Sequence, residues 1–192
     1  MLVGMARAAV GAASIVAAMV AAIVAAAVLA GCGGPPPAPR VTLDPLDVSA
    51  FVGTPCDLLR ADRAGRRHLA VPGTVAAGPD GPVCRWTPTE PRVPVYTAGV
   101  TTHSGLADVQ RHRQDFSFLD QTDIAHYPAV HTRDRAAGSK IRCSTRVGVA
   151  DDSQVIVTAD DNGIAVPSAL DACSDADTLA TEIVGQMLSG TG

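Results

Sequence analysis

Residues 8–30 run for 23 positions without a charge, almost all of them Ala, Val, Ile, Leu, Met or Gly. As a helix rising about 1.5 Å per residue, this run is long enough to span a bilayer. It also fits a secretory signal peptide, with Arg7 and the amino terminus as the basic start and small residues at its far end. Both readings place the rest of the chain at or beyond a membrane.

The residues that close the run decide between them. Leu29-Ala30-Gly31-Cys32 resembles the bacterial lipobox, in which a diacylglyceryl thioether forms on the cysteine and a peptidase cuts just before it. That chemistry needs small residues beside the cut and a thiol to carry the lipid. The next residues, Gly33-Gly34-Pro35-Pro36-Pro37-Ala38-Pro39-Arg40, have the composition of an extended, solvated spacer. The alternative is an uncleaved transmembrane helix, but no basic stop-transfer cluster follows the run. Two acyl chains on one residue give stable anchoring, where one is marginal. The expected organisation is a signal peptide over 1–31, lipidated Cys32 with its spacer over 32–44, and a single extracytoplasmic domain over 45–192.

Removing residues 1–31 takes away one charge, Arg7, and leaves 14 basic and 19 acidic side chains, net −5, in 161 residues. A mildly acidic chain whose one lysine is Lys140 lacks the basic footprint of a nucleic-acid binder. It also lacks a polybasic segment for anionic lipid, so the membrane is reached through Cys32. The size suits one domain with a modest core.

Five cysteines become four once Cys32 is assigned to lipid: Cys56, Cys84, Cys143 and Cys173. Outside the cytosol these form disulfides, and four thiols allow three pairings. No two are spaced as C-x₂₋₄-C, which argues against a zinc knuckle or a thioredoxin-type motif.

Thr54-Pro55-Cys56-Asp57-Leu58-Leu59 predicts a short helix, with threonine as cap and proline at its first position. Residues 76–82 read as a turn. Alternation predicts strands over 83–87 and 93–101 as a hairpin, and Pro94 predicts that the second begins at a sheet edge. Leu106, Val109, Arg113 and Phe116 predict an amphipathic helix over 105–117. Further strands are expected over 126–132, 141–150 and 154–159. Asp151-Asp152-Ser153 makes a tight turn, and Asp161-Asn162-Gly163 closes the region. From Cys173 to Leu188 apolar residues recur at helical spacing, with Asp175 and Asp177 in the first turn and Gly190 as the stop. The expected fold is α+β: a single antiparallel sheet of about five strands, helices packed on a face including a C-terminal amphipathic helix, and disulfide staples. Cys84 and Cys143 both lie in alternating segments and Cys56 and Cys173 both open helices. That element reading favours the pairs Cys84–Cys143 and Cys56–Cys173.

No catalytic constellation stands out. His126 and His131 are five apart and would point to opposite faces of one strand, so no metal site is expected among His68, His103, His112, His126 and His131. Ser104 lies outside any G-x-S-x-G elbow. Asp151-Asp152 and Asp160-Asp161-Asn162-Gly163 lack EF-hand spacing and read as turns. Trp86, two residues from Cys84 on one strand face, reads as core packed against a disulfide. No cofactor is expected.

In order and spacing, Pro55-Cys56-Asp57-Leu58-Leu59, Cys84-Arg85-Trp86, Tyr127-Pro128-Ala129-Val130, Cys143 and Cys173 resemble the domain-of-unknown-function family 3558 of actinobacterial lipoproteins. The resemblance covers roughly 45–189 and departs at His126, where the family often has glycine. It implies an envelope-exposed lipoprotein and supplies no activity. Two function classes follow: a non-catalytic module that binds an envelope protein, a lipid or a wall component, and an extracytoplasmic enzyme of hydrolase type. A pocket joining His126, His131 and an acid would favour the enzyme. A filled core without a convergent polar cleft would favour the module.

Overall fold

Along Arg142–Ala150 the odd-numbered Cys143, Thr145, Val147 and Val149 are fully buried on one side. The even-numbered Arg142, Ser144 and Arg146 face the other. This period of two is what a strand in the middle of a two-faced sheet requires. The computed structural model describes residues 43–135, 142–160 and 169–190. The run 8–30, Cys32 and the spacer up to residue 42, Lys140 and Asp161-Asn162-Gly163 lie outside them.

Seven strands rather than five make up one antiparallel sheet: β1 (Thr74–Gly78), β2 (Gly81–Trp86), β3 (Val95–Thr101), β4 (Phe116–Ile124), β5 (Tyr127–Asp134), β6 (Arg142–Ala150) and β7 (Ser153–Asp160). Their spatial order is β1-β2-β3-β7-β6-β5-β4, two meanders joined where β3 pairs with β7. The two extra strands are the edges. Residues 76–78, expected as turn, belong to β1, and the turn itself is only Pro79-Asp80. Residues 116–117, expected as helix, open β4. The helix over 106–111 stops at Arg111, and one 3-10 turn (Arg113–Asp115) leads into the strand. Pro94 sits just before β3, which is an interior strand and not an edge.

The main core lies between the sheet and the C-terminal helix α3 (Ala169–Leu188). There Ala176, Leu179, Ala180, Ile183 and Val184 pack against Val147, Val155 and Val157. The helix begins four residues before Cys173, so Asp175 and Asp177 stand beyond its first turn. Gly190, at φ +65°, ends it. The predicted helix at Thr54 is a single 3-10 turn (Pro55–Leu58) followed by α1 (Ala61–Arg66); Leu58, Leu59 and Ala64 join the core. Helix α2 (Leu106–Arg111) does not share the face of α3. Leu106 and Val109 pack on Val130 from the opposite side, so helices flank the sheet on both faces.

The disulfides join Cys56 to Cys84 and Cys143 to Cys173. This overturns the pairing Cys84–Cys143 and Cys56–Cys173. Two strands, β3 and β7, stand between β2 and β6, so Cys84 and Cys143 lie about 14 Å apart across the sheet, twice the reach of a disulfide. Each bridge instead ties an element packed on the face to the strand beneath it, with Cα atoms 4.8 and 4.9 Å apart. Trp86 is buried as expected. A Cβ on Gly73 would collide with both Cys84 Sγ and the Trp86 indole, so ring and bridge share one pocket of the core.

Candidate functional site

Away from α3, no element among the described residues covers the sheet face between α2 and the β1–β2 turn, and the register draws polar side chains into line there. Thr97 on β3 opposes Thr158 on β7, Thr158 opposes Ser144 on β6, and Ser144 opposes Thr132 on β5. Four hydroxyls thus cross four strands in a single row, with Ser144 Oγ and Thr158 Oγ1 2.8 Å apart. Three of its members, Thr97, Thr158 and Ser144, floor a cleft of about 190 Å³ whose walls include Val83, Val95 and Ile156.

Arg85, Arg142 and Arg146 all line this cleft, and the last two are held by aspartates. Arg142 donates through Nη2 to Asp160 Oδ2 at 2.5 Å and through Nε to the same oxygen at 3.2 Å. The Arg146 side chain is only 8% exposed. Its Nε donates to Thr132 Oγ1 at 3.3 Å, its Nη2 pairs with Asp80 Oδ2 at 3.0 Å, and its guanidinium lies 5.7 Å from the centroid of the Phe116 ring. A guanidinium so nearly buried is tolerable only with such partners. Asp80 reaches it from the tip of the β1–β2 hairpin, although β3 and β7 stand between β2 and β6. The hairpin therefore curls over the open face. Gly99 permits this, because a Cβ there would come within 2.8 Å of the Pro82 carbonyl oxygen.

The histidines do not converge. His68 pairs with Glu90 at 2.8 Å, His103 lies beside Thr102, and His112 Nδ1 is 2.9 Å from the Asp108 carbonyl. His126 sits in the β4–β5 turn. His131, on the α3 side of β5, places Nε2 2.8 Å from Asp177 Oδ1, and Thr145 Oγ1 donates to the same oxygen at 2.7 Å. These three tie β5 and β6 to α3. Among the described residues no group of three or more His, Cys, Asp or Glu side chains is placed to hold a metal ion. Ser104 offers its carbonyl to Gln154 Nε2 at 2.8 Å and takes no part in a nucleophile pair. Asp151 and Asp152 form the β6–β7 turn. No helix among the described residues is long and apolar enough to cross a membrane.

A second, wider depression lies over Arg66, Arg67, Arg92, Tyr96, Asp175 and Glu182. Arg67 Nε donates to Glu182 Oε2 at 2.8 Å, fastening α1 to α3. Burial, with the Asp175 carboxylate adding to it, pushes the Tyr96 phenol up to about 12.

Arg142, Arg146, Asp80 and the hydroxyl row were missed from sequence. A signal was present in the polar residues at every second place of Arg142-Cys143-Ser144-Thr145-Arg146 and in Thr158-Ala159-Asp160. What aligned them, the pairing of β6 with β7 and β3, is not written in either strand alone.

A profile of the family described as "Protein of unknown function (DUF3558)" matches residues 27–186. No curated protein and no solved structure matches the chain.

Proposed function

The chain belongs to the DUF3558 family, and on that premise we propose that it is an actinobacterial lipoprotein. In this reading residues 1–31 are removed, lipid on Cys32 holds the protein at the outer face of the cell membrane, and residues 32–44 space it from the bilayer. The domain over 45–192 serves as a non-catalytic module that binds an envelope protein, a lipid or a wall component. One observation supports binding over chemistry: the polar cleft is lined by arginines, aspartates and hydroxyls, with neither histidine nor cysteine in its lining. Two of those aspartates, Asp80 and Asp160, are engaged by Arg146 and Arg142, an arrangement suited to holding a ligand through charge and hydrogen bonds.

The test is extraction of the lipidated protein from its own membrane, followed by mass spectrometry of its N terminus, partners and bound lipid. An acylated Cys32 with no residue before it, and a partner or ligand recovered in stoichiometric amount, support the reading. An intact segment over 1–31, or loss of membrane association without loss of Cys32, overturns it. Cys32→Ala leaves the precursor unlipidated.

The His131–Asp177 pair favours a second reading, an extracytoplasmic hydrolase. In a nucleophile–base–acid relay the hydroxyl bonds the ring, whereas Thr145 bonds the carboxylate. Ester hydrolysis lost in His131→Gln while the melt is unchanged would carry that second reading.

A further inference from the structure

We propose that the cleft on the open sheet face binds a small carboxylated polyol, of the size and chemistry of a single uronic acid residue, and that the Asp80 carboxylate occupies the acid's place when the cleft is empty. The inference rests on the binding-module reading above and names the ligand class for it.

The space comes first. A volume of about 190 Å³ falls below the usual range for drug-sized ligands, roughly 300–1,000 Å³, and suits one six-membered ring. The floor comes next. Thr97, Thr158 and Ser144 present hydroxyls in one cross-strand row, each able to donate and accept, which is how vicinal hydroxyls are matched. Beside them Val83, Val95 and Ile156 offer an apolar wall for the C–H face of a ring.

The acid group is specified by Arg146. Its Nη2 already holds a carboxylate oxygen, Asp80 Oδ2, at 3.0 Å inside the cleft. That carboxylate is carried by a two-residue turn at the end of an edge hairpin, and its side chain is 34% exposed. Arg146, by contrast, is anchored in the centre of the sheet by Thr132 and Phe116. The fixed partner is the cation and the displaceable one is the anion. A ligand carboxylate entering the cleft takes over the bond to Nη2 and releases Asp80 and its turn to water. The exchange swaps one ion pair for another and leaves no buried charge unpaired, which is the costly outcome in such sites.

Glucuronate is the probe, with glucose as its neutral control, titrated into the detergent-solubilised full chain and followed by thermal shift and calorimetry. Glucuronate is expected to bind and stabilise the wild type, and glucose to do neither. Asp80→Asn removes the competing anion and should tighten glucuronate about tenfold, the scale of one charge-assisted bond. Because Asp80→Asn also leaves Arg146 without its anion, the variant should melt lower alone and regain more stability from glucuronate than the wild type does. Thr158→Val, which keeps the shape and removes one floor hydroxyl, should weaken binding about fivefold or more. The proposal is overturned if glucose binds as well as glucuronate, if Asp80→Asn gives no gain, or if neither form binds the acid. If a partner is still recovered from the native membrane in that last case, the ligand class fails and the binding-module reading stands.

Discussion

At the scale of single residues, His126 is the clearest conflict between side chain and backbone. The turn between β4 and β5 has two central residues, Ala125 at φ +49° and His126 at φ +71°. A two-residue hairpin with positive φ at both places favours Asn-Gly or Gly-Gly, because a Cβ is strained there. His126, at a position where the sequence resemblance leads one to expect glycine, is thus held in the left-handed region. His126→Gly should stabilise the domain by about 0.5–1 kcal/mol, the relief of strain exceeding the added freedom of the unfolded chain. A lower urea midpoint for that variant would show the histidine to be held by contacts that outweigh the strain. Tyr96 sets a second expectation. Its phenol stands at about 12 in the fold, against 10.0 for an ordinary tyrosine, because it is buried and near Asp175. Burial, and then Asp44, raise Tyr127 as well. Below pH 10 both folded and unfolded chains keep the proton. Between about 10 and 12 only the unfolded chain gives it up, so stability falls as pH rises through that window, by up to about 3 kcal/mol for Tyr96. Phenolate absorbance that rises near pH 10 in the still-folded protein would contradict this.

At the scale of elements, what was legible depended on whether a segment's pattern was self-contained. Helix α3 carries its own helical period and β6 its own alternation, while β5 and β7 are marked by the apolar runs Tyr127-Pro128-Ala129-Val130 and Val155-Ile156-Val157. The edges carry none. In β1 every residue of Thr-Val-Ala-Ala-Gly is exposed or half-buried, so no buried face marks it as a strand. In β4 Phe116 continues the spacing of Leu106 and Val109, yet it packs beneath α2 from the sheet and not from the helix. The cysteine pairing failed for a related reason: each cysteine's element was readable, but the order of strands was not, and order decides which thiols meet. The cleft was hidden in the same way, since Asp80 and Arg146 are 66 residues apart and meet only because the hairpin folds over β3 and β7. With the bridges placed, removing one is specific in its effect. Cys143 and Cys173 enclose 30 residues, for which the chain-entropy relation gives roughly 3.6 kcal/mol. The double variant Cys143→Ser, Cys173→Ser should lose about that much in denaturant melts yet stay folded. The single variant Cys56→Ser should leave Cys84 alkylatable and Cys173 protected. A free Cys173 in that variant would restore the pairing expected from sequence.

At the scale of the whole molecule, the two bridges serve different halves of the sheet. Cys56–Cys84 pins the N-terminal 3-10 turn to β2 in the first meander, and Cys143–Cys173 pins α3 to β6 in the second. The meanders are joined through the β3–β7 ladder and through the shared core under α3. Loss of one bridge loosens one half while the other still presents its face. Loss of both removes roughly 7 kcal/mol by the same relation, against the 5–15 kcal/mol that separates most folded domains from their unfolded chains. One pairing in the sheet, β3 with β7, joins distant segments, and closing the 59-residue interval from Ala98 to Val157 carries the main loop-closure cost once the cross-links are gone. Full reduction should therefore abolish the cooperative thermal transition at physiological temperature, while reduction of a single bridge lowers the midpoint and preserves cooperativity. Differential scanning calorimetry of the oxidised, singly substituted and fully reduced forms checks this directly. A fully reduced protein that still melts in one sharp transition would mean that the core between α3 and the central strands sustains the fold by itself, and that the disulfides contribute far less than their loop lengths imply.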